Sequence, residues 1–248
     1  MAAAVELLPD EERIVITGLG AVTPLGLNVS ETWKKILEGK SAVSCISSNN
    51  IGYTLNDAVD IAGQIFNFNP EEYLHPSEIK KTHRSHHFAY AAAVEAGIDA
   101  GILDGIPTPE KNRSNNLLRN VIPEEVGTII ATGTGGSPHI ADLEVIELMR
   151  AARELSYEIV FEEILKKAGR RLQQRSPFNI LRTLPERTAS VSSLALGTEA
   201  VLYTPVAACE SGLQSLIEAY KAIKMGDANC IFAGGAEASI DPISLLSF

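Results

Sequence analysis

Five short apolar runs alternate with helical patterns along the chain, and this alternation limits the fold more than any other feature. The runs lie at residues 14–16, 59–62, 126–130, 201–206 and 230–233. Helical periodicity fills the intervals at 30–38, 83–100, 138–168, 187–196 and 211–225. A strand that is followed each time by a helix returns to the same sheet by crossover, which buries both sheet faces under helices. The expectation is an α/β domain with a mixed, mostly parallel five-stranded sheet flanked by helices. With 248 residues, 45% of them apolar, the chain can bury a substantial core. Residues 105–123, with Pro107, Pro109, Asn112, Asn115 and Asn116, read as a surface loop.

Several function classes are disfavoured by composition. No run of eighteen apolar residues occurs, so no membrane span is expected. Residues 1–12 carry Glu6, Asp10, Glu11 and Glu12 ahead of the first arginine, which suits neither a secretory signal nor a transit peptide, so they read as an N-terminal extension of a cytoplasmic protein. Cys45, Cys209 and Cys230 lack metal-ligand spacing and imply reduced thiols. The net charge of −10 argues against nucleic acid as a partner. Two basic clusters stand out, Lys80, Lys81 and Arg84, and Lys166, Lys167, Arg170, Arg171 and Arg175. Each is either a solvated helix face or a dock for an acidic carrier. Residues 241–248 begin another helical pattern that stops without a cap, which reads as a cut end.

Three further motifs invite a ligand reading. Gly18 and Gly20 follow the first apolar run as a dinucleotide turn would, but Thr23 and Pro24 occupy the place of the third glycine and helix start. The helix cannot begin before the capping types Asn28 or Ser30, too late to cradle a phosphate, so the glycines read as turn residues. Gly133-Thr134-Gly135-Gly136-Ser137 reads as a turn admitting close backbone approach. His83, His86 and His87 share one helix face, yet no carboxylate or thiol accompanies them, so they read as polar helix surface; neither metal nor cofactor is expected.

The chemically informative stretch surrounds Cys209. An extended segment runs into Ala207 and Ala208, and then Leu213, Leu216, Ile217, Tyr220 and Ile223 recur at helical spacing. Cys209 therefore falls at or just before a first helical turn, where unpaired N–H groups and the helix dipole favour a thiolate nucleophile. Small neighbours Ser211 and Gly212 leave room for a substrate carbonyl, and the Cys209 N–H can contribute to an oxyanion hole.

These motifs occur in a consistent order from residue 13 to 248. Arg13-Ile14-Val15-Ile16-Thr17-Gly18-Leu19-Gly20 with Thr23-Pro24-Leu25-Gly26 opens the chain, and Thr134-Gly135-Gly136, Ser176-Pro177-Phe178, Ala208-Cys209 with Gly212, and Ala233-Gly234-Gly235-Ala236-Glu237 follow. Together they resemble the N-terminal half of the beta-ketoacyl-acyl carrier protein synthases, condensing enzymes of fatty acid and polyketide synthesis with a thiolase-like fold. The resemblance implies Cys209 as the acyl-accepting nucleophile; Thr134, Gly135, Ser211 and Gly212 at the substrate; and Lys80, Lys81 and Arg84 near the carrier-docking region. It also implies acyl carrier protein, bearing acyl and malonyl thioesters, as partner.

In that family an acyl chain passes to the cysteine, and a malonyl carrier then loses carbon dioxide to give the carbanion that attacks it. The family's two catalytic histidines, its lysine and its gating phenylalanine belong to the C-terminal half and match no position in residues 13–248. The resemblance thus predicts slow acylation without condensation, and an apolar face calling for a homodimer or a complementary C-terminal half. Two alternatives stay open: a non-catalytic partner similar to chain-length-determining subunits, and a thiolase-type acyltransferase using coenzyme A thioesters. Ala207, where the family often has threonine, and Thr134, where an apolar residue often lines the acyl pocket, are departures from its pattern.

Overall fold

The structure, a computed structural model, describes residues 13–46, 61–107, 117–134, 182, 184–240 and 244–245. The element order is α1 (Val29–Leu37), β1 (Val43–Cys45), β2 (Ile61–Gly63), α2 (Pro76–Ile79), α3 (Arg84–Asp99), β3 (Val126–Ala131), α4 (Arg187–Leu196), β4 (Leu202–Tyr203), α5 (Ser211–Met225) and β5 (Cys230–Gly235). The expected helix at 138–168, the basic cluster at 166–175, Gly135, Gly136 and the 176–178 motif lie outside the described residues.

Strand β3 is the centre of the domain. All six of its residues are buried, and it pairs in parallel with β4 on one side and β5 on the other. Val126 and Ile130 join Phe232 in a core with Tyr90 and Val94 of α3 and Ala189 and Leu196 of α4. Ile129 packs instead with Ala219 and Ala222 of α5. Neighbouring residues of a strand point to opposite faces, so β3 alone divides the domain into two helical layers. Its buried polar residue is satisfied, because Thr128 Oγ1 lies 2.8 Å from Thr198 Oγ1.

The helix limits follow local chemistry. Asn28 Oδ1 accepts the Glu31 N–H at 2.8 Å and caps α1. Helices α4 and α5 end on Gly197 and Gly226, both left-handed, with φ of 78° and 82°. Both span the ranges expected from the sequence.

Four expectations need correction. The described sheet has three parallel strands, while β1 and β2 form a separate antiparallel pair. Residues 14–16 take no strand assignment, and Val15 and Ile16 are exposed; β propensity makes no strand where the described residues supply no ladder partner. Second, Gly18 and Gly20 do not form the turn, which instead closes between Thr23 and Gly26. They lie against α3: an added Cβ would come within 2.1 Å of Ala96 O at Gly18 and 1.8 Å of Ala92 O at Gly20. Asp99 and Glu95 hold the same segment, accepting the Leu19 N–H at 2.9 Å and the Ala21 N–H at 2.8 Å.

Third, the histidines are not polar helix surface. His86 is fully buried and His87 nearly so. His86 Nδ1 accepts the His83 N–H at 3.0 Å and thereby caps α3, and His87 Nε2 lies 2.8 Å from Thr82 Oγ1. One ring nitrogen of each is bonded locally, while His86 Nε2 is buried without a hydrogen-bond partner. Fourth, the end of the 105–123 segment is not all surface, since Leu118 is buried in the main core.

Candidate active site

Cys209 sits in a single 3₁₀ turn, Ala208–Glu210, that leads directly into α5. Its thiol is free and exposed. The turn is tight because Ala208 adopts a left-handed φ of 49°, a conformation that costs a residue with a Cβ about 1 kcal/mol and persists only where neighbours enforce it. Ser211 enforces it here. Its buried Oγ accepts the Ala207 N–H at 2.8 Å and donates to Ala208 O at 2.6 Å, spanning the corner from inside. Ser211, expected at the substrate, thus has its hydroxyl engaged with the backbone of the elbow.

Gly212 follows on the first turn of α5, and a Cβ built there would meet nothing within 4 Å. Gly235, at the end of β5, backs it closely: a Cβ on Gly235 would lie 3.2 Å from Gly212 Cα. The elbow therefore rests on the C-terminal end of the parallel sheet, where α/β folds gather their sites.

The turn after β3 forms the neighbouring wall. Thr132 bridges to Val206, and a Cβ on Gly133 would stand 3.4 Å from Ala208 O. Thr134 is exposed beside it. Glu237, two residues beyond the end of β5, reaches across to this turn. Its Oε2 accepts the Gly133 N–H at 2.8 Å, the Thr132 hydroxyl at 3.0 Å and the Thr134 N–H at 3.3 Å. The sequence marks Glu237 only as part of a motif; the contact it makes is to residues about a hundred positions earlier.

The basic cluster is less available than its composition suggests. Lys80 is exposed, but Lys81 pairs with Glu78 at 3.0 Å. Arg84 donates to Ile65 O at 2.9 Å and lies over the Phe88 ring, 5.1 Å from its centroid. Among the described residues no group of three or more histidine, cysteine, aspartate or glutamate side chains could hold a metal ion, and no helix is long and apolar enough to cross a membrane.

Residues 11–248 match the family described as beta-ketoacyl synthase, N-terminal domain. The chain belongs to this family. A 3-oxoacyl-[acyl-carrier-protein] synthase 2 of Staphylococcus aureus (strain COL) is 28% identical over 97% of the chain and 49% of its own length. The enzyme of the same name from Synechocystis sp. is 26% identical over 96% of the chain and 49% of its own length. The chain thus spans about half the length of these ketosynthase relatives.

Solved ketosynthase structures have the same fold. The ishigamide ketosynthase/chain length factor superposes with a TM-score of 0.68 at 21% identity, covering 94% of this chain and 49% of that one. A type II polyketide ketosynthase solved in complex with its acyl carrier protein superposes with a TM-score of 0.64 at 23% identity, covering 94% and 47%. The fold is therefore the thiolase-like α/β fold of the ketosynthases, seen here over its N-terminal domain.

Proposed function

We propose that this chain carries the acyl-accepting half of a 3-oxoacyl-acyl carrier protein synthase, with Cys209 as nucleophile. The observation that carries the reading is the exposed thiol on a strained elbow at the start of α5, with open space at Gly212 beside it. Cys209 Sγ attacks the thioester carbonyl of an acyl carrier; the carbon–sulfur bond to the carrier breaks, and the carrier thiol leaves with the proton. Backbone N–H groups at the elbow stabilise the oxyanion formed on the way. Thr134 and Gly212 border the acyl chain, and Ser211 serves the same site by holding the elbow. Lys80, in one cluster with Lys81 and Arg84, offers positive charge to an acidic carrier.

The later step, decarboxylation of a malonyl carrier and attack of its carbanion on the acyl–cysteine, is the work of the whole synthase, for fatty acid or polyketide synthesis. A complementary half is the partner this reading requires. Helix α5 supports it: Ser211, Ser215, Ala219 and Ala222 face inward, while Leu213, Leu216, Ile217 and Tyr220 are exposed at i, i+3, i+4 and i+7. A second copy of the chain is the competing occupant, and sedimentation of the chain alone distinguishes the two. Free thiols and negative charge fit a cytoplasmic setting with neither nucleic acid nor membrane as partner.

Intact mass after mixing the chain with hexanoyl-acyl carrier protein tests the proposal. One hexanoyl adduct is expected, absent from Cys209→Ala. No adduct on a folded wild-type chain would replace this reading with a non-catalytic partner role. Gly212→Ala should fold normally, since its methyl enters open space, but should acylate on the order of tenfold more slowly by narrowing the approach to Cys209. Equal rates would remove Gly212 from the substrate path.

A further inference from the structure

The carboxylate of Glu237 is held against the turn beside the elbow, and the proposed function leaves it without a role. It is exposed, so it is not there to fill the core. Instead, one of its oxygens gathers two successive backbone N–H groups and a hydroxyl from the turn 132–134. Successive N–H groups converging on one oxygen form an anion-binding nest, and charge-assisted bonds of this kind are the stronger class. Its own backbone is fixed next door, where the Ala236 N–H donates to Ala131 O at 3.0 Å. Glu237 therefore bridges the ends of β3 and β5 at the point where both approach the elbow. A Cβ on Gly133 would stand 3.2 Å from Glu237 Oε2 and 3.4 Å from Ala208 O, so carboxylate, turn and elbow are packed in series.

We propose that Glu237 is a positioning residue for acyl transfer to Cys209, clamping the turn 132–134 so that it forms a fixed wall of the acyl path. This rests on the acyl-transfer reading above. It is a matter of reach and of an acceptor oxygen rather than of charge alone. Glutamine keeps the length and one acceptor oxygen; aspartate keeps the charge but is one methylene too short; alanine keeps neither.

The experiment compares wild type, Glu237→Ala, Glu237→Asp and Glu237→Gln in the full chain by three measurements. These are the rate of Cys209 acylation by hexanoyl-acyl carrier protein, the rate of Cys209 alkylation by iodoacetamide followed by peptide mapping, and amide hydrogen exchange at Gly133 and Thr134. Glu237→Ala and Glu237→Asp are expected to acylate about tenfold more slowly, with faster exchange at the two amides and unchanged alkylation, and Glu237→Gln to restore most of the rate. A merely structural role would lower alkylation and melting temperature together with acylation, and that pattern overturns the proposal. So does an unchanged acylation rate in Glu237→Ala. If wild type accepts no acyl group, the acyl-transfer reading falls by itself and exchange decides the clamp: faster exchange in Glu237→Ala upholds it, and unchanged exchange overturns it too.

Discussion

Gly20→Ala is expected to destabilise the chain by about 3 kcal/mol or more, a large part of a domain's ordinary stability. The added Cβ would lie 1.8 Å from Ala92 O and 2.8 Å from both Ala92 C and Ala96 N, all backbone atoms of α3. No rotamer change relieves a clash with backbone, so the segment must move off the helix. That movement would also break the Ala21 N–H bond to Glu95, whose other oxygen accepts the Val29 N–H at 2.8 Å ahead of α1. Gly18→Ala should act in the same direction through Ala96 O. Gly105→Ala is the control, with nothing within 4 Å of its Cβ, and should change stability by no more than about 0.5–1 kcal/mol. Urea midpoints for the three variants decide the matter. A Gly20→Ala midpoint close to wild type would mean that the segment does not rest on α3 as described.

The same two glycines mark where sequence reasoning reaches its limit. Glycine signals that a Cβ is unwelcome, but a turn and a close approach forbid it equally, and only tertiary contact separates them. Helix α5 carries a similar ambiguity. Its limits are legible from Gly226 and from the spacing of Leu213, Leu216, Ile217 and Tyr220, but periodicity identifies a face without saying what covers it. The sheet takes the Ser215, Ala219 and Ala222 face, because small side chains let the helix approach β3 and β5 closely, and the large residues are left outside. At the site, small residues around Cys209 and the strand-to-helix change make the elbow readable, since its geometry is local. Glu237 is not readable in the same way: its bond to Gly133 joins residues 104 apart, and no local pattern encodes it.

The buried histidines carry the second large effect, a steep loss of stability in acid. His86 is held down to a pKa of about 3, first by burial and then by His83, His87 and Arg187. His87 is held down to about 4, again first by burial and then by His83, Arg84 and Arg182. The described neighbours acting on the two rings are all basic, so protonation meets both desolvation and repulsion. Unfolded histidine takes up its proton near pH 6.5, whereas the folded rings refuse it. The unfolded state therefore binds more protons below that point, and stability falls as pH falls, from about 6.5 down towards the folded values. Each ring contributes up to about 1.4 kcal/mol per pH unit, or about 4 kcal/mol for the pair by pH 5. Above pH 7 the rings are neutral in both states and the effect disappears. Replacing both, as His86→Gln with His87→Gln, should cost about 1 kcal/mol or more at pH 7.5 through the lost cap on α3, yet flatten the decline between pH 7 and 5. Urea unfolding of both chains across that range measures the difference, which cancels the carboxylates they share. Parallel curves would place the acid sensitivity elsewhere; converging curves would assign it to the two imidazoles at the start of α3.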